Sequence, residues 1–281
     1  MTHPLPWTSI LAAPQDLRLV VCDMDGTLLS PSGEVPEAFW SLLETMRDRG
    51  LTFVPASGRQ YATLAAMFDR VPGGLPAIAE NGSLVVHDGV TVSTTPVDVS
   101  TVREVVDAVR AAPASDDLGL VVCGVTSAYV ERDDAAFVAE VGRYYARLTV
   151  VDDLDDVTDD VLKLAVYAFE DAARTAETTL GALAASHQVV VSGEHWVDIM
   201  RDGVDKGLGV QALQAALGVT PAQTVVFGDY LNDLEMLDAG EWSFAMANAH
   251  PDIRARARYL APSNTEDGVV TVLAHLLGVT P

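Results

Sequence analysis

Apolar and polar positions alternate along the chain in two distinct rhythms. Leu17–Cys22 is an almost unbroken apolar run that stops at Asp-Met-Asp-Gly-Thr. Such a run fits a strand buried on both faces, as in a parallel sheet. Helical spacing follows over Pro36–Arg49, with proline near its start and Gly50 just past its end. A second short apolar run, Leu51–Ala56, ends in Ser-Gly-Arg. This strand–helix–strand order predicts right-handed parallel crossovers and an α/β sheet.

The same order returns near the C-terminus. Lys206–Leu217 reads as a helix closed by Gly218, and Thr224–Phe227 as a strand ending in Gly-Asp-Tyr-Leu-Asn-Asp. A helix over Leu231–Ala239 follows, then short strands at Ser243–Met246 and Tyr259–Leu260 on either side of a helix over Pro251–Arg258.

The middle differs. Leu84–His87 and Val90–Ser93 flank Asp88-Gly89, a strong hairpin signal. Helices are expected at Thr101–Ala112, Asp134–Arg147 and Ala172–Ala185. Strands are expected at Leu118–Cys123, Ala128–Glu131, Leu162–Phe169, Gln188–Ser192 and Trp196–Met200. The expectation is a Rossmann-like parallel-sheet core domain, residues 1–87 and 202–281, carrying an inserted α+β domain over residues 88–201.

Charge narrows the partners. Seventeen basic against 40 acidic residues give a formal net charge of −23. A chain so acidic has no general means of neutralising a nucleic-acid backbone, and an anionic membrane surface repels it. Its 49% apolar content argues against disorder. No apolar run reaches spanning length, and Ile10–Ala13 is too short for a signal-peptide core, so a cytoplasmic location is expected. Cys22 and Cys123 sit in apolar runs and are expected to be reduced thiols.

Three of four chemically loaded segments fall where a strand is expected to end, the edge at which open α/β sheets bind ligands. Asp23 and Asp25 put two carboxylates into one crevice. They suit either a divalent cation or a nucleophile with an acid/base partner. Gly26 admits close backbone approach, and the turn through Thr27 can present amides to an anion. At the next strand end, Ser57 and Gly58 offer a hydroxyl and amides to a phosphate oxygen, and Arg59 adds charge-assisted bonds. Lys206 opens a helix, where a cation opposes the dipole unless an anion lies in front of it. It is one of only two lysines, the other being Lys163, so a lysine here stands out. In the last segment Asp229, Asn232 and Asp233 fall within one helical turn. Hard oxygen donors without nearby His or Cys favour Mg²⁺ over zinc.

Together these segments resemble the haloacid dehalogenase superfamily: the Asp23–Thr27 motif, Ser57, Lys206, and Gly228–Asp233. Ser57-Gly58-Arg59, Glu80-Asn81-Gly82, Asp205-Lys206-Gly207 and Asn264–Val269 are similar to its Cof-like branch, which carries a large α/β cap. The resemblance implies that Asp23 attacks phosphorus and that Asp25 protonates the leaving oxygen, then activates water. It implies Mg²⁺ held by Asp23, the Asp25 carbonyl and Asp229, with Asp233 as ligand or support, and a phosphoryl group held by Ser57, Lys206 and Asn232. The implied function is a Mg²⁺-dependent phosphatase acting on a small phosphorylated metabolite such as a sugar phosphate, in a monomer or small homo-oligomer. A phosphomutase on a sugar phosphate and a non-enzymatic metabolite-binding protein remain as alternatives.

Other features carry less. The six aspartates of Asp152–Asp160 lack Ca²⁺-loop spacing and read as a solvated loop. The six histidines, His3 among them, show no metal-ligand spacing.

Overall fold

The computed structural model describes residues 4–10, 16–192 and 194–280. His3 and all of Ile10–Ala13 except Ile10 lie outside the described residues. The chain divides into two compact units, one of residues 1–58, 67–93 and 205–281, the other of residues 59–66 and 94–204. No described helix is long and apolar enough to cross a membrane.

The first unit is built on a nine-stranded sheet. At its centre Leu19–Asp23 lies between Thr52–Ala56 and Thr224–Gly228, parallel to both. Trp242–Met246 and Tyr259–Ala261 continue the parallel order on one side, and Ala77–Ala79 on the other. Leu19, Val20, Val21 and Cys22 are all fully buried, which explains the unbroken apolar run: a central parallel strand has no solvent face. The Leu84–His87 and Val90–Thr94 hairpin turns through Asp88 at φ 51° and Gly89 at φ 70°, the left-handed pair that an Asp-Gly hairpin turn needs. Val90–Thr94 forms the edge of this same sheet, although the sequence places it at the start of the insertion.

Lys206–Leu217 is a helix with the expected bounds. The Asp205 carboxylate caps it by accepting from the Leu208 N–H at 2.8 Å, and Gly218 ends it at φ 65°. The expected single helix over Leu231–Ala239 is instead a 3₁₀ turn, Leu231–Asp233, followed by an α-helix, Leu234–Ala239. Asp233 causes the break, because its side chain turns back to the preceding backbone.

The second unit holds a six-stranded sheet in the order His187–Val191, Trp196–Arg201, Val161–Ala168, Leu118–Gly124, Ala128–Val130, Leu148–Val150. Alternation sorts its side chains by face. Leu120, Val122, Leu164, Val166, Val197 and Ile199 pack with the helices Val99–Ala111 and Ala172–Thr178. Val121, Cys123, Ala165 and Tyr167 pack with Phe137 and Val141 of the helix Ala135–Val141.

That last helix stops well short of Arg147. Gln60 holds Arg147 at both main-chain atoms, at 3.0 and 2.9 Å, and the chain leaves as the unforeseen strand Leu148–Val150. The aspartate run is likewise more than a solvated loop. Arg110 pairs with Asp153 at 2.7 Å, Asp155 at 2.8 Å, and Glu131. The Asp159 carboxylate accepts from the Thr126 N–H at 2.7 Å and the Tyr129 hydroxyl at 3.1 Å.

Candidate active site

Three neighbouring parallel strands deliver their C-terminal ends to one place. Asp23 ends Leu19–Asp23, Ser57 follows Thr52–Ala56, and Asp229 follows Thr224–Gly228. Parallel strands necessarily end on the same edge, so segments distant in the chain become adjacent without any local signal.

The buried Lys206 ammonium donates to Asp23 Oδ1 at 2.5 Å and to Asp233 Oδ1 at 2.7 Å. Its side chain is 0% exposed. A buried cation of this kind persists only with paired carboxylates. Burial alone would pull its pKa down, but Asp23 and Asp233 together hold it above the ordinary lysine range. Lys206 is thus a fixed positive charge at the start of its helix, and its partners are acidic side chains.

Asp233 is fully engaged. One oxygen takes the Lys206 ammonium, and Oδ2 accepts from the Asp229 N–H at 2.9 Å and the Tyr230 N–H at 3.2 Å. It ties the strand-end loop to the lysine. Asp229 keeps more freedom: its Oδ1 accepts from the Thr27 hydroxyl at 3.1 Å. Burial first, then repulsion from Asp233, pushes its pKa up to about 6. Asp23 is driven upward by the same two causes against the pull of Lys206, and its Oδ2 is buried without a hydrogen-bond partner among the described residues.

These observations test the site for a divalent cation. Asp23, Asp229 and Asp233 offer carboxylate oxygens within 4.8 Å of one another. Three carboxylates stand against one ammonium that bonds to only two of them, which leaves excess negative charge in a desolvated place, and Asp23 Oδ2 is an orphaned acceptor among the described residues. All the donors are hard oxygens. The residues fit Mg²⁺.

The turn over Met24–Leu28 closes with the Leu29 N–H on Met24 O at 2.8 Å. Gly26 sits at φ 83°, and a Cβ there would lie 2.3 Å from Asp229 Oδ2, so two constraints exclude a side chain. Asp25 is exposed on this turn, whereas Thr27 is buried. Ser57 is buried, its N–H on Ile78 O at 2.9 Å and its carbonyl accepting from the Asn81 N–H at 3.0 Å. Asn81 also accepts from the exposed Asn232 amide at 3.2 Å, and a Cβ on Gly58 would meet it at 3.0 Å. Asn81 therefore links the Ser57 loop to the Asn232 loop. Gly82 beside it has φ 104°, and a Cβ would lie 2.1 Å from Asp205 O, so that loop packs directly on the start of the Lys206 helix.

Of the expected site residues, Asp23, Gly26, Thr27, Lys206, Asp229 and Asp233 come together through the contacts above, and Ser57, Gly58 and Asn232 are linked through Asn81. Arg59 falls in the second unit. Asn248 was not singled out by the sequence, yet its amide donates to Gly26 O at 2.8 Å. The signal for it was positional: Asn248 follows a fourth strand end, after Met246.

A family model described as haloacid dehalogenase-like hydrolase matches residues 20–273. The chain is 33% identical over 264 residues to the 5-amino-6-(5-phospho-D-ribitylamino)uracil phosphatase YbjI of Escherichia coli (strain K12), covering 93% of this chain and 96% of that one. It is 28% identical to the HMP-PP phosphatase of Cronobacter sakazakii, over 86% of this chain and 89% of that one. A solved structure from Thermotoga maritima aligns with a TM-score of 0.80 at 22% identity, covering 92% and 96% of the two chains, and supports the fold alone. The chain belongs to the haloacid dehalogenase-like hydrolases, in the Cof-like branch. Within that family it is a phosphoric monoester hydrolase.

Proposed function

We propose that this hydrolase is a Mg²⁺-dependent phosphatase that cleaves a small sugar-type phosphate ester through an aspartyl-phosphate on Asp23. The observation that carries the reading is the buried Asp23–Lys206–Asp233 array, which holds one carboxylate rigidly at a strand end beside Asp229. Mg²⁺ would be held by Asp23, the Asp25 carbonyl and Asp229. When bound it would supply charge neutralisation for the phosphoryl oxygens. Asp233, with both oxygens already engaged, supports the loop that carries Asp229.

Lys206 fixes the orientation of Asp23 through Oδ1. In the first step an Asp23 oxygen bonds to phosphorus, and the ester oxygen leaves with a proton from Asp25. In the second, Asp25 takes a proton from water, which attacks phosphorus. Inorganic phosphate departs and the Asp23 carboxylate is restored. Ser57, Asn232 and the amides of the Gly26–Thr27 turn would hold the transferring group. Gly58 completes the proposed phosphate-binding set within the first unit.

The sugar-type substrate draws support from the phosphoribityl group named for the Escherichia coli relative, a phosphate ester on a sugar-derived chain. The test is phosphate release from a panel of phosphorylated metabolites, sugar phosphates included, with and without Mg²⁺. Release from sugar-type esters that needs Mg²⁺ supports the reading. Isomerised sugar phosphate in place of free phosphate, or undiminished turnover in EDTA, overturns it.

A further inference from the structure

Two asparagines from the far end of the chain reach the turn that carries the nucleophile. Asn248 Nδ2 donates to Gly26 O at 2.8 Å. The Asn264 main-chain N–H donates to Asn248 Oδ1 at 3.2 Å, and its side-chain amide donates to Leu29 O at 3.0 Å. The orientation of the Asn248 amide follows from these partners. A main-chain N–H can only donate, so it takes Oδ1 and leaves Nδ2 for the carbonyl.

We propose that Asn248 is a positioning residue for phosphoryl transfer, acting through the Gly26–Thr27 peptide, with Asn264 orienting its amide. A trans peptide is a rigid plane with C=O and N–H on opposite edges, and the described residues contain no cis bonds. Holding Gly26 O toward Asn248 turns the Thr27 N–H to the opposite side of the turn. Gly26 has no side chain to restrain it and sits at φ 83°, so this plane must be held from outside. The Thr27 hydroxyl bond to Asp229 ties the next residue down, and Asn264 secures the turn again at Leu29. Four segments thereby fix one peptide plane: the turn itself, Asp229, Asn248 and Asn264.

Asn248 is exposed, so replacing it removes no core packing. The reciprocal arrangement also separates it from a simple loop staple. Asn264 already secures the turn at Leu29, yet Asn248 spends its donor on the one carbonyl whose peptide leads directly into Thr27. The inference rests on the proposed Asp23 chemistry.

The test compares Asn248→Asp, Asn248→Ala and Asp23→Asn with the parent enzyme, using p-nitrophenyl phosphate as substrate, orthovanadate as inhibitor, and thermal melts. Asn248→Asp keeps the volume but sets an acceptor against an acceptor. The expected result is a kcat lower by about 10- to 100-fold in both Asn248 variants. KM should stay within about threefold, and vanadate should weaken in step with kcat. The melting temperature should stay within ~2 °C of the parent. Parental kcat in Asn248→Asp or Asn248→Ala, beside an inactive Asp23→Asn, overturns the positioning role alone. So does a loss that lies wholly in KM. Turnover that persists in Asp23→Asn overturns the nucleophile assignment and the proposal with it.

Discussion

At the residue scale, Lys206 has two separable duties. It balances the charge of Asp23 and Asp233, and it sets the direction of the Asp23 carboxylate, the proposed nucleophile. Lys206→Met removes one partner of a fully buried array and leaves two carboxylates facing each other. The expected cost is about 3 kcal/mol in a denaturant melt without Mg²⁺. Unchanged stability would mean that the carboxylates had reorganised or protonated at no cost. Asp23→Asn keeps the shape but removes the proposed nucleophile, so phosphate release should fall by about a thousandfold or more, as followed by a phosphate assay. The lysine was legible in the sequence because lysine is so rare in this chain and sits where a helix dipole opposes it. Asn248 was not, because an asparagine two residues past a strand carries no pattern until its hydrogen-bond partner is known.

At the element scale, long elements with a clear period were readable and composite ones were not. The Lys206–Leu217 helix announces both of its ends, with Asp205 before it and Gly218 after it. Ala77–Ala79 is a three-residue strand, too short to show a period, and Gly268–Leu277 is so uniformly apolar that no face stands out. The helix expected to run to Arg147 ends at Val141, just before Gly142, and the main chain of Arg147 is instead held by Gln60, a partner 87 residues away. The Glu80–Gly82 turn is a place where an element boundary bears on the site. Gly82→Ala would force a Cβ against Asp205 O in a disfavoured φ region. We expect a loss of ~2 kcal/mol in a urea melt, with Asn81 and the start of the Lys206 helix displaced together. A neutral effect there would show that the loop shifts freely.

At the scale of the whole molecule, a net charge of −23 and a phosphate-binding site are compatible only because charge is managed locally. Lys206 offsets part of the carboxylate cluster, and Mg²⁺ would offset the rest. Titrating Mg²⁺ into the metal-free enzyme should therefore raise its apparent stability, by about 2.7 kcal/mol at a hundredfold excess over Kd. Asp229→Asn should flatten that response in the same thermal melts, and an equal shift in both proteins would place the ion elsewhere.

The candidate active site also joins segments that are remote in time as well as in sequence. Asp23 and Lys206 lie 183 residues apart, and Thr27 and Asp229 lie 202 apart. Closing a flexible loop of that length costs roughly 5 kcal/mol of chain entropy before any contact offsets it. A nascent chain exposes Asp23 long before its partners leave the ribosome, and the early strands can pair with one another without forming a centre able to hold phosphate. On refolding, the far-ultraviolet signal should recover ahead of phosphatase activity, because the long-range pairing of Thr224–Gly228 with Leu19–Asp23 is expected to form late. In this protein, catalytic competence reports that the chain has closed on itself.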